Sequence, residues 1–194
     1  IRRQRQMCIR DRKKRLILKV LGLLLLLPMF SGCNDTDDVA GIFTGKTWKL
    51  TYITVKDSHQ MFNFWGNDNK AREQSMKLLD ETGRYVITFN GMEESNIITG
   101  TLSGTVITST FTGSWSANGK DNQFNASIQG GNESSDILAK NFIEGLNNAT
   151  SYGGDERNLY LYYKPSGSQQ TLSLVFHVVK SVSYTHLRAH ETAA

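Results

Sequence analysis

The chain has 194 residues, a formal charge of +4 and two cysteines. A basic balance invites a nucleic-acid or membrane-surface partner. That inference does not survive a reading of the two ends. Gln6–Asp11 can be written CAG ATG TGT ATA AGA GAC, and the reverse complement of that text encodes Val182–Leu187. The shared text matches the end of a transposase-based sequencing-library adapter, and the flanking Arg2–Arg5 and Arg188–Glu191 fit its continuation. Two ends of one protein have no physical reason to encode reverse complements. Residues 1–12 and 181–194 are therefore set aside as translated adapter. Cys8, His186 and His190 leave the set of candidate ligands with them. Residues 34–180 carry twelve Lys or Arg against sixteen Asp or Glu, a balance of −4. No nucleic-acid partner is expected of a mildly acidic chain.

Residues 13–32 read as an export signal. Lys13, Lys14, Arg15 and Lys19 form a basic start, Val20–Leu27 an apolar run, and Pro28 ends it. A membrane-spanning helix needs about 20 apolar residues, more than this run supplies. Ser31-Gly32-Cys33 places two small residues before a cysteine, the pattern of a lipoprotein signal whose cysteine is lipidated. Phe30 stands where such signals usually carry Leu. Cys33 is thus the expected lipidation site and the membrane the expected partner. The acidic Asn34–Asp38 that follows resembles a surface-export signal, and it also suits a solvated tether, expected over 33–44. With Cys8 gone, Cys33 is the sole cysteine, so neither a disulfide framework nor a cysteine metal site is expected.

Residues 45–180 fit one domain, rich in Gly, Ser, Thr and Asn. Trp48, Leu50 and Tyr52 alternate with Lys49 and Thr51 as a first strand. A helix follows over 68–82, with Ala71, Ser75, Leu78 and Leu79 on one face and Gly83 as its stop. Tyr85, Ile87 and Phe89 share the inner face of a second strand. Residues 96–111 read as two strands around Ser103-Gly104. Residues 111–117 and 122–128 flank Asn118-Gly119, a hairpin signal that Lys120-Asp121 would lengthen. A second helix over 135–148 carries the stripe Leu138, Phe142, Leu146 and Ala149, capped by Ser134 or Ser135. Leu159, Leu161 and Tyr163 alternate with Tyr160 and Tyr162. Leu172, Leu174, Phe176 and Val178 close the series, with His177 on the other face. The fold class is mainly β with two helices (α+β). It is either a small antiparallel lipocalin-like β-barrel or a strongly curled sheet, capped by helices.

Gly45-Lys46-Thr47-Trp48-Lys49-Leu50, soon after the cysteine, resembles the opening strand of lipocalin-like lipoproteins of gut Bacteroidetes. Gly113-Ser114-Trp115, the helix over 135–149 and Asn158-Leu159-Tyr160-Leu161-Tyr162-Tyr163 resemble one uncharacterised family of that kind. The resemblance covers residues 33–180. It implies a lipid-anchored, β-rich domain of unknown function, and it supplies no catalytic residues.

The candidate ligand-binding residues are aromatic. His59, Phe62, Phe64 and Trp65 cluster before the first helix, where they could stack on a ligand or cap the core. Tyr160 and Tyr162 could line a ligand surface or make ordinary cross-strand contacts. Trp48, with Tyr85 and Phe89, would line a cavity if the barrel is hollow. His59 and His177 lie too far apart to suggest a metal site, and no nucleophile elbow, phosphate loop or zinc motif occurs. Glu93-Glu94 and Asp155-Glu156 suit solvated loops. Neither a metal, a cofactor nor catalysis is expected. The reading is an outer-membrane lipoprotein that binds a small apolar or sugar ligand, or an envelope protein. The alternative is an accessory of an outer-membrane complex with a filled core and no small ligand.

Overall fold

The computed structural model describes residues 38–132 and 135–181. Cys33, the export signal of 13–32, and residues 1–12 and 182–194 lie outside the described residues. In chain order the elements are α1 (Val39–Phe43), β1 (Lys46–Val55), α2 (Asn69–Asp80), β2 (Val86–Glu94), β3 (Ile97–Thr105), β4 (Thr110–Asn118), β5 (Gln123–Gly130), α3 (Ile137–Asn148), β6 (Ala149–Gly154), β7 (Asn158–Tyr163) and β8 (Leu172–Ser181). Each strand pairs antiparallel with the next, and β8 pairs with β1, so the sheet is a closed barrel. Of the two architectures expected, closure wins because it leaves no long edge of unpaired backbone groups. The up-and-down strand order is that of a lipocalin-like barrel.

The strands follow the alternation of their residues. Leu159, Leu161 and Tyr163 point inward from β7, as do Leu172, Leu174 and Phe176 from β8, all nearly inaccessible. The register Leu159↔Phe176, Leu161↔Leu174 and Tyr163↔Leu172 sets these side chains opposite one another on the inner face. Tyr160, Tyr162 and His177 take the outer face.

Four departures from the expected elements have local causes. The tether expected to run to Thr44 ends at Asp38, because Val39–Phe43 forms a helix whose Val39, Ile42 and Phe43 are buried. Ala149–Gly154 pairs with β7 as an additional strand, although Ala-Thr-Ser-Tyr-Gly-Gly has the composition of a loop. β3 runs straight through Ser103-Gly104, and the chain turns later, where the Val106 N–H donates to the Ser109 carbonyl. Gly104 serves close approach instead: a Cβ there would meet the Val86 carbonyl oxygen at 2.2 Å and the Phe111 ring at 2.3 Å. In β1, the register slips between Leu50 and Tyr52. Such a bulge leaves one residue unpaired and changes the face of those beyond it. Trp48, Leu50 and Ile53 therefore point inward, while Tyr52 turns outward.

Two helices close the barrel. At one end, Phe43 of α1 sits among Phe89, Trp115, Phe124 and Tyr152, with ring centroids 4.8–5.6 Å away. At the other, Phe142 of α3 meets Tyr85, Phe111 and Phe176 at 5.6–6.2 Å. α1 is too short to be stable by itself, and side chains hold it. The Asp38 carboxylate accepts from Gly41 N–H at 2.8 Å, Lys46 Nζ donates to the Gly41 carbonyl at 2.6 Å, and Trp48 Nε1 donates to the Phe43 carbonyl at 3.3 Å. Gly45, at φ 71°, turns the chain from α1 into β1. The Gly-x-x-Trp-x-Leu motif thus has a physical role: its glycine makes the turn, its tryptophan latches the helix and its leucine enters the core.

α2 lies outside the barrel. Lys49, almost fully buried, donates to the carbonyls of Leu79, Glu81 and Arg84 at 2.6, 2.8 and 2.6 Å. One ammonium thereby satisfies orphan carbonyls at the helix C-terminus and in the turn beyond. Burial lowers the Lys49 pKa from its ordinary 10.5, and nearby Asp80 opposes the shift.

Phe43→Ala should lower the unfolding free energy by about 3–5 kcal/mol in chemical denaturation, the range for deleting a buried ring. A loss below about 1 kcal/mol would show that the ring does not fill the barrel.

Candidate functional site

The inside of the barrel offers little room for a ligand. Trp48, Tyr85 and Phe89, the residues expected to line a cavity, are each 0% exposed and packed against other side chains. Trp48 is committed to α1 through its indole N–H, and Lys46 Nζ stands 5.5 Å from its ring centroid. It lines neither of the clefts that the other candidate aromatics border.

Those aromatics separate into two groups on the outside. Phe62, Phe64 and Trp65 form a run of rings, with centroids 4.7 and 6.0 Å apart. Phe64 and Trp65 border a small cleft of about 190 Å³ between the starts of α2 and α3. Its floor is a chain of polar groups. Trp65 Nε1 donates to Ser75 Oγ at 3.0 Å, and Ser75 Oγ donates to Asp136 Oδ2 at 2.6 Å. Tyr85 Oη donates to Asp136 Oδ1 at 3.2 Å, and the Ala139 N–H donates to the same oxygen at 2.8 Å. Asp136, not Ser135, is therefore the N-cap of α3. Tyr85 reaches it from a backbone at φ 51°, strained for a bulky residue. Both carboxylate oxygens are committed to hydrogen bonds that join α2, α3 and the start of β2. This carboxylate is a structural clamp.

Tyr160 and Tyr162 belong to the second group. Cross-strand pairing sets Tyr52, Val175 and Tyr160 in one row of the outer face, and Thr54, Ser173 and Tyr162 in the next. The segment after β1 arches over this patch and is pinned at both ends. Lys56 N–H donates to the Thr171 carbonyl at 2.8 Å, and Phe62 N–H donates to the Ile53 carbonyl at 2.7 Å. Asp57, at φ 64°, turns the arch. The result is a cleft of about 370 Å³ floored by the two rows and walled by Asp57, Ser58 and His59. Lys56 Nζ stands over the Tyr162 ring, 4.9 Å from its centroid. Burial raises the Tyr162 pKa above its ordinary 10, with the Asp57 and Tyr160 charges adding to it. The phenol is therefore a neutral donor at physiological pH.

The structure thus joins Tyr160 and Tyr162 to His59 and parts His59 from Phe62, Phe64 and Trp65. The sequence reading missed Tyr52, because the bulge could not be seen, and it missed Ser173, an ordinary serine until the register places it. Elsewhere, His177 Nδ1 and Thr51 Oγ1 share a 2.7 Å hydrogen bond beside Lys49. A broad groove on α2 is lined by Arg72, Glu73, Lys77 and Asp80, a solvated charged face. Among the described residues no group of His, Cys, Asp and Glu is placed to hold a metal ion.

The family model described as Domain of unknown function (DUF4847) matches residues 34–178. Among solved structures, the chain is similar to a crystal structure of a DUF4847 family protein from Bacteroides vulgatus ATCC 8482. The two are 28% identical, the match covers 72% of this chain and 96% of that one, and the TM-score is 0.50. No curated protein matches.

Two outcomes follow. Asp136→Ala removes a helix cap and two side-chain hydrogen bonds, so thermal or urea unfolding should show a loss of about 3 kcal/mol. A change within about 0.5 kcal/mol would contradict the clamp. Burial, then the Lys49 charge, lowers the His177 pKa from its ordinary 6.5. The unfolded chain therefore binds this proton first, and stability falls as pH drops from 6.5 through the folded value. Melting temperature measured between neutral and acidic pH should decline less steeply in His177→Gln. An unchanged slope would contradict the coupling.

Proposed function

The chain belongs to the DUF4847 family, and we propose that this member is a lipid-anchored lipoprotein of the cell envelope. Its domain recognises a ligand or partner without catalysis. One observation carries the reading of the domain: the barrel interior is filled by the Phe43 and Phe142 clusters, while a polar and aromatic cleft is built on the outer wall. Recognition therefore falls to the surface of a rigid scaffold. Support for a non-catalytic role comes from Asp136, a buried carboxylate whose oxygens are spent on structural bonds.

The anchor rests on the sequence. Lys13–Lys19, Val20–Leu27 and Ser31-Gly32-Cys33 supply the basic, apolar and small-residue parts of a lipoprotein signal. The acidic residues after Cys33 favour the outer membrane and its exposed face. The described residues begin at Asp38, five residues after Cys33, so the anchored segment joins the domain at α1. The accessory reading, a filled barrel that only supports a larger complex, is favoured by the exposed Met92 and Ile97 near the β2–β3 turn, which could meet a protein partner.

Metabolic labelling with a fatty-acid analogue tests the anchor. The wild-type protein should take the label and sediment with membranes, and Cys33→Ala should lose both. An unlabelled, soluble wild-type protein would overturn the proposal.

A further inference from the structure

We infer that the outer cleft over β1, β8 and β7 is a saccharide-binding site, with Tyr52, Tyr160 and Tyr162 as its aromatic surface and Ser173 as its central hydrogen-bonding group. The inference rests on the reading of the domain as a non-catalytic binding lipoprotein and gives that reading a ligand class.

Ser173 is the first argument. Its side chain is 3% exposed, and Oγ has no hydrogen-bond partner within the protein. A buried hydroxyl without a partner costs stability. Alanine there would remove no hydrogen bond within the protein, yet a serine lines the floor of the cleft with its donor and acceptor unspent.

The chemistry around Ser173 narrows the ligand. Tyrosine rings offer flat apolar faces, and their hydroxyls, with Ser58 and His59, offer hydrogen bonds around the rim. A fatty chain would strip water from Asp57 and leave the Ser173 hydroxyl without a partner. An anion would meet the Asp57 carboxylate. The cation–π partner of the Tyr162 ring is already supplied by the Lys56 ammonium. A neutral polyol with an apolar C–H face fits each of these groups. The cleft volume, about 370 Å³, lies in the range of small-ligand sites.

Rigidity is the second argument. The arch from Lys56 to Met61 is tied down by the two backbone bonds above, by a bridge between Thr54 and Met61, and by Gln60 N–H donating to Ser58 Oγ at 3.1 Å. A wall held this way costs little to order on binding. Location is the third. β1 leaves the α1 end at Lys46 and reaches the cleft at Tyr52 and Thr54, about 20 Å further along. The cleft lies on the barrel wall away from the end that α1 closes.

The test is a heteronuclear NMR titration of the purified, processed protein with common hexoses, N-acetylhexosamines and their disaccharides at millimolar concentration. At least one sugar should shift the resonances of Tyr52, Tyr160, Tyr162 and Ser173 together. Tyr160→Ala should weaken that binding about tenfold. Ser173→Ala should weaken it by about three- to tenfold while keeping full thermal stability, which separates recognition from folding. Silence towards every sugar overturns the inference, as does binding that shifts other residues or survives both substitutions. Silence from a protein that labels at Cys33 overturns this site and leaves the anchor standing. Sugar binding by an unlabelled protein supports the site and removes the anchor.

Discussion

A closed barrel of eight strands either holds a small ligand or fills its own inside, and here rings from two helices outside the sheet, Phe43 and Phe142, complete the filling. Phe43 reaches the barrel from α1, a helix of five residues that its own backbone bonds could not sustain. Four further rings from β2, β4, β5 and β6 surround it, in tilted, stacked and edge-to-face contacts. Such contacts add to the burial of apolar area. Removing this ring would leave a void lined by aromatic faces, at the end where the chain enters the fold. The latch made by Lys46 and Trp48 holds the helix in place, which explains why the opening of β1 carries those residues. The plug fixes the functional question: with the interior occupied, whatever this protein recognises meets its outer wall.

The outer wall is shaped by a second constraint, the bulge in β1. Without the slip between Leu50 and Tyr52, the register would send Tyr52 inward and Ile53 outward. With it, Ile53 joins the core and Tyr52 joins Tyr160 across Val175 on the outside. The same slip sets Thr54 beside Ser173. One irregular residue pair thus supplies a core side chain and an aromatic surface. Bulges are frequent next to binding and catalytic sites because they re-aim side chains in this way.

Much of this was legible in the residues, and the rest was hidden for physical reasons. The inward faces of β7 and β8 follow from Leu159, Leu161, Leu174 and Phe176, where alternation is unbroken. α2 and α3 follow from apolar stripes and fall within two residues of their expected ends. α1 was invisible because five residues hold less than two turns of period, and because the acidic run before it reads as tether. β6 was invisible because Ala149, Ser151, Gly153 and Gly154 outweigh the strand preference of Thr150 and Tyr152, and pairing with β5 and β7 makes Ala149–Gly154 extended. Gly104 looked like a turn, whereas its small size serves the crossing of Phe111. The two tyrosines of β7 were legible as candidates. Their partners Tyr52 and Ser173 were not, since a bulge and a three-strand register lie beyond single-sequence pattern.

The central claim is that the barrel is full and its ligand surface external. The most direct measurement is the response of core resonances to an apolar probe. In an NMR titration with a long-chain fatty acid, the indole N–H of Trp115 and the amides of Ile87, Phe89 and Leu102 should stay unmoved. Saturable shifts at these inward-facing groups would contradict the account and show that the barrel opens to take a ligand inside.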